Sequence, residues 1–171
     1  MENHFDLFQM PVRFAIDAEQ LDAAYRELQG RVHPDKFAAA SDPEKRVAMQ
    51  WATRANEAYK TLKNPLRRAA YLCELHDVDL GVESNTSMPP AFLMQQMEWR
   101  EALDDARSAR DMTQLEVLEQ SLNAVRREMT ERIGVLLEQS QFDEAGHRVR
   151  ELMFVEKFGE EVARAFEALE V

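Results

Sequence analysis

Residues 17–41 read DAEQLDAAYRELQGRVHPDKFAAAS, and the architecture turns on how that stretch is parsed. Leu21, Ala24, Tyr25, Leu28 and Val32 recur at the spacing of one helix face, and Asp17 stands where an N-cap acceptor belongs. Pro34 ends that helix, because its ring disfavours the α conformation at His33 and it has no amide to donate. A second amphipathic pattern opens at SDPE, residues 41–44, where Ser41 and Glu44 have capping-box spacing. Its apolar stripe is Val47, Trp51, Ala55, Ala58 and Leu62. Two such helices joined by a short loop are expected to lie antiparallel, with His33, Pro34 and Asp35 at the turn.

The rest of the chain continues in the same manner. KNPLRRAAYLCELH (63–76) restarts a helix after Pro65, with Leu66, Ala69, Ala70 and Cys73 on one side. Residues 76–89, HDVDLGVESNTSMP, lose periodicity and collect turn formers, which marks a linker between a domain at 1–75 and another at 90–171. Three helices are expected beyond it. The first runs from about Pro90 to Ala109. The second starts near Thr113 with Glu116 in capping-box position, and carries Leu115, Leu118, Leu122, Val125, Met129 and Leu136. The third follows Ser140. With only 5 Gly and 6 Pro in 171 residues and no alternating β-branched run, the fold class is all-α: a helical hairpin with flanking helices, then a three-helix bundle.

Composition narrows the function. A chain with 45% hydrophobic and 31% charged residues can bury a core without staples. The single cysteine, Cys73, forms no C-x-x-C, and the four histidines are too dispersed for a metal cluster, so no metal and no cofactor is expected. Neither a secretory leader nor an uninterrupted apolar span is apparent, and the expected compartment is the cytoplasm. The net charge of −11 resides entirely in residues 76–171, because residues 1–75 balance 11 basic against 11 acidic side chains. An acidic half of this kind repels phosphate backbones and argues against nucleic-acid binding.

One apolar surface exceeds what packing requires. At about 100° per residue, Phe92, Trp99, Leu103 and Ala106 cluster on one side of the 90–109 helix, and Leu93, Met94 and Met97 cluster roughly opposite. An outer helix of a three-helix bundle needs one buried stripe. The second, with Glu98, Arg100 and Glu101 around it, fits a partner-binding surface, whereas a fully central helix would bury both. In the last helix Phe154 points away from the face of Phe142, Ala145, Val149 and Leu152 and fits the same surface. His33 and Asp35 invite an acid–base reading. No nucleophile elbow, phosphate-cradling loop or ligand cluster accompanies them, and a solvated loop offers no pocket, so no catalytic residue is assigned.

AYRELQGRVHPDKF (24–37) resembles the second helix and His-Pro-Asp loop of J-domain co-chaperones, and NEAYKTLKNPLRRAAYL (56–72) is similar to their third helix and its exit. HFDLFQMPVRFAID (4–17), RRAAYLCELHDVDL (67–80) and above all AFLMQQMEWREAL (91–103) look like one branch, the HscB co-chaperones of iron–sulfur cluster assembly. That resemblance covers essentially the whole chain. It implies a J domain whose loop, His33, Pro34 and Asp35, stimulates ATP hydrolysis by the DnaK-type chaperone HscA, with Arg26, Arg31 and Lys36 as electrostatic contacts. It further implies a C-terminal domain that binds the scaffold IscU through Leu93, Met94, Met97, Glu98, Arg100, Glu101 and Phe154. Gly30 departs from the basic or larger residue usual near the end of that helix. The resemblance implies a non-enzymatic protein, and a monomer is expected because no further apolar stripe asks for a self-partner. The alternatives are a J protein serving a general DnaK chaperone, whose Gly/Phe-rich and cysteine-rich regions are missing here, and a small helical enzyme using His33 and Asp35.

Overall fold

The computed structural model describes residues 2–81 and 88–170. Among these there are helices and no strands: α1 (His4–Leu7), α2 (Ala18–Val32), a 3-10 turn (Pro34–Phe37), α3 (Asp42–Lys63), α4 (Pro65–Leu75), α5 (Pro90–Ala109), α6 (Met112–Glu138) and α7 (Phe142–Leu169). The chain divides into two compact units, Met1–Leu75 and His76–Val171. Residues 82–87 of the expected linker lie outside the described residues.

In the first unit the local rules hold at each boundary. Asp17 caps α2, its carboxylate accepting the amides of Glu19 and Gln20 at 3.0 and 3.2 Å. Ser41 Oγ accepts the Glu44 amide at 3.4 Å. α2 and α3 run antiparallel: Asp22 pairs with Tyr59 and Lys63, and three residues later Tyr25 donates to Asn56. Tyr25 and Tyr59 stack between them with centroids 4.1 Å apart. The short α1, which the helical periodicity did not single out, is held by a capping box at Asn3 and by His4, whose ring stacks on Tyr71 of α4.

The core of this unit lies away from the turn. Phe5, Phe8, Met10, Leu21, Ala55, Ala58, Leu62, Ala69, Leu72 and Cys73 are buried where α1, α2, α3 and α4 converge. This corrects the expected stripe of α3 at its first turns, where Val47 and Trp51 are exposed and Ala48 is buried instead. At that end α3 faces only α2 and the 3-10 turn, and two helices cannot enclose a side chain between them as a third layer would. Arg54 lies over the Trp51 ring at 5.4 Å.

In the second unit α6 and α7 form a long antiparallel hairpin, on which α5 packs. Leu115, Leu118, Leu122, Ile133, Leu136 and Leu137 of α6 meet Ala145, Val149, Leu152, Val155, Phe158 and Val162 of α7. Trp99 of α5 stacks on Phe158 at 5.7 Å. The start of α6 differs from the expectation at Thr113: Arg110 takes a left-handed conformation (φ 49°), and the Asp111 carboxylate caps the helix by accepting the Gln114 amide at 3.2 Å. An aspartate just after a left-handed turn is already placed as the N-cap, so Thr113 falls inside the helix. Residues 76–81 belong to this unit. His76 stacks on Phe142 at 3.7 Å, and a Cβ at Gly146 would come within 2.7 Å of Val78, so a glycine is required for that close approach.

Candidate functional site

His33 closes α2 and opens the 3-10 turn with φ −60° and ψ 135°, the extended conformation that a following proline demands. Its Nδ1 accepts the Asp35 amide at 3.2 Å, and the Lys36 amide donates to the His33 carbonyl at 3.0 Å. The tripeptide is thus a corner tied by its own backbone. Its side chains face solvent, with His33 51% and Asp35 92% exposed. No desolvated pocket surrounds the pair, so the geometry suits display to a partner better than proton transfer.

The basic residues assigned to the same surface are unequal. Arg26 and Lys36 are exposed, whereas Arg31 already pairs with Glu27 one turn earlier, both ends of that pair being about 70% exposed. Such a solvated pair is weak and can be exchanged for a partner's carboxylate. Gly30 is exposed, and a Cβ there would touch nothing within 4 Å.

On α5 the buried and exposed faces separate cleanly. Phe92, Trp99, Leu103 and Ala106 are at most 9% exposed, while Leu93, Met94 and Met97 are 48%, 62% and 71% exposed. Leu93, Met97, Arg100 and Glu101 line one shallow concavity together with Gln96, Asp104 and Asp105. Sequence reasoning passed over these last three, although Asp104 and Asp105 continue the same helical face seven and eight positions beyond Met97. Met94, Glu98 and Phe154 do not line that concavity, although all three are exposed. Arg100 is held within the unit: its guanidinium contacts Glu161 at 2.7 Å and lies over the Phe158 ring at 5.2 Å. The concavity therefore combines an apolar floor with the carboxylates of Glu101, Asp104 and Asp105. No group of three or more His, Cys, Asp or Glu able to hold a metal occurs among the described residues.

Comparison with known proteins places these features in a family. The family model described as the HSCB C-terminal oligomerisation domain matches residues 88–163. The chain is 54% identical over 169 residues to a co-chaperone protein HscB homolog of Burkholderia multivorans, across 99% of this chain and 97% of that relative. Its fold matches chaperone HscB from Vibrio cholerae with a TM-score of 0.87 at 37% identity, covering 98% of this chain and 99% of the other. It matches human co-chaperone HscB with a TM-score of 0.90 at 29% identity, covering 95% and 81%. The first unit is accordingly a J domain and the second the helical bundle of those structures. On full-length identity, fold and the His33-Pro34-Asp35 corner together, the chain belongs to the HscB family of co-chaperones.

Proposed function

We propose that this protein is a non-enzymatic adaptor that stimulates ATP hydrolysis by the DnaK-type chaperone HscA and delivers the iron–sulfur scaffold IscU to it, so promoting cluster transfer. The observation that carries the reading is the pair of separate displayed surfaces. The corner at His33, Pro34 and Asp35 projects from a J domain spanning 1–75, and the apolar stripe of Leu93, Met94 and Met97 is left uncovered on α5. Arg26, Arg31 and Lys36 flank the corner and would meet an acidic surface of the chaperone. In this reading Glu98, Arg100 and Glu101 rim the stripe, and Phe154, exposed on α7, would add to the scaffold-binding surface.

The loop performs no chemistry. It binds one conformation of the chaperone more tightly than another and shifts that equilibrium by no more than the differential binding free energy. Exposed Met and Leu rimmed by charge suit a partner that must be held and released, since methionine repacks at little cost.

The expected setting is the cytoplasm, consistent with the absence of any described helix long and apolar enough to cross a membrane. The matched C-terminal model is described as an oligomerisation domain, whereas we propose a monomeric working form. Sedimentation of the protein alone and with IscU measures this directly.

The deciding experiment is the steady-state ATPase of HscA with this protein, with and without IscU. No turnover by the protein alone, stimulation on its addition to HscA, and synergy with IscU are expected. Equal stimulation with and without IscU would remove the delivery half of the proposal.

A further inference from the structure

Met94 and Met97 stand three residues apart on the outer face of α5, 62% and 71% exposed, so solvent reaches both side chains. With Leu93 they make up the apolar stripe assigned above to the scaffold. Most other methionines differ. Met10 is buried in the core of the first unit, and Met88, Met112, Met129 and Met153 are partly covered. Among the described residues Met49, on α3, is the other exposed methionine, at 63%. The single thiol of the chain offers no competing site. Cys73 is fully buried, and that burial, helped by the charge of Glu74, pushes its pKa up to about 11, which leaves little thiolate to react.

We infer that Met94 and Met97 are oxidation sites through which hydrogen peroxide controls recognition of the scaffold, an inference that rests on the assignment of this stripe to IscU. The thioether sulfur attacks one peroxide oxygen: an S–O bond forms, the O–O bond breaks, and the proton of the attacked hydroxyl passes to the departing one, which leaves as water. Sulfur gives up two electrons and the peroxide takes them, so each thioether becomes a sulfoxide. The product alters the stripe where a partner must dehydrate it. A sulfoxide oxygen is a polar acceptor, and burying it against an apolar surface without a donor is costly. The concavity at Met97 supplies few donors. Glu101, Asp104 and Asp105 only accept, Arg100 is drawn to Glu161, and the Gln96 amide nitrogen lies covered.

The test treats the full chain with hydrogen peroxide and locates the added oxygen by peptide fragmentation in mass spectrometry. Calorimetry then measures IscU affinity before oxidation, after it, and after repair by methionine sulfoxide reductases of both epimer specificities. Met94 and Met97 should oxidise well before Met10 with unchanged circular dichroism, and affinity should fall at least about tenfold and return on repair. The double variant Met94→Leu, Met97→Leu, whatever its own affinity, should show no loss between its untreated and treated forms. Met49→Leu should lose affinity as the native chain does. If the double variant binds too weakly to compare, the repair and Met49→Leu results decide. No binding by the untreated native protein would remove the IscU reading and this inference with it. Binding that survives oxidation of both methionines, a loss that the reductases do not reverse, or a loss that persists in the double variant or disappears in Met49→Leu overturns the inference alone.

Discussion

The Nδ1 of His33 accepts the backbone amide of Asp35 at 3.2 Å and lies 3.6 Å from the carboxylate of the same residue. A ring nitrogen that accepts an amide proton carries none of its own, so Nδ1 cannot cap the Asp35 amide and form an ion pair at the same time. The proximity to the carboxylate is therefore not an ion pair. The corner holds itself by a local cap and leaves an N–H donor and a free carboxylate to be read by a partner.

His33→Gln tests that display. Because the residue is half exposed and supplies only a local cap, the helices should persist by circular dichroism, with a stability change of no more than about 1 kcal/mol. Stimulation of HscA should fall at least about tenfold, which corresponds to about 1.4 kcal/mol of coupling. Normal stimulation by the variant would remove the loop from the mechanism.

The exposed stripe and the core of α5 should respond oppositely to truncation. Leu93→Ala and Met97→Ala, at solvent-facing positions, should each change stability by no more than about 0.5 kcal/mol while weakening IscU binding in calorimetry. Leu103→Ala, at a fully buried position, should cost about 2–5 kcal/mol and leave the binding surface chemically intact. Comparable losses of melting temperature in all three variants would place the stripe in the core.

Gly30 is the weakest helical position of α2. A Cβ there meets nothing within 4 Å, so Gly30→Ala should raise stability by about 0.5–1 kcal/mol through the reduced freedom of the unfolded chain. Thermal denaturation measures this, and a fall in melting temperature would show that the glycine serves a conformation other than the helix.

Acid should loosen the α2–α3 hairpin at an identifiable point. Hydrogen bonds from Lys63 and then Tyr59 hold the Asp22 carboxyl below its ordinary range. A depressed carboxyl contributes stability that is present above its unfolded value of about 3.9 and is lost as pH falls through the lower folded value. Asp22→Asn should therefore melt below the native protein at neutral pH. The two curves should begin to approach one another as pH falls through about 4 and meet only below the lowered folded value. A constant offset across that range would mean that the charge of Asp22 is not what the hairpin uses.

The helices themselves were legible because their causes are local. Asp17, Ser41 and Pro34 act within a few residues of where they stand, and a 3.6-residue period sorts Phe92, Trp99, Leu103 and Ala106 from Leu93, Met94 and Met97 without reference to anything distant. The His33-Pro34-Asp35 corner was legible for the same reason. Burial was not, wherever it depended on how many elements converge. Val47 and Trp51 have the period of a core stripe and remain exposed, because α3 has too few neighbours at the loop end. The four-residue α1 is too short to carry a period and is ordered by its contacts with Tyr71. Arg150 looks in sequence like any surface arginine, and Arg100 like a free one. Only the packed bundle buries the first and ties the second to Glu161 and Phe158, since both outcomes rest on residues brought together from different helices.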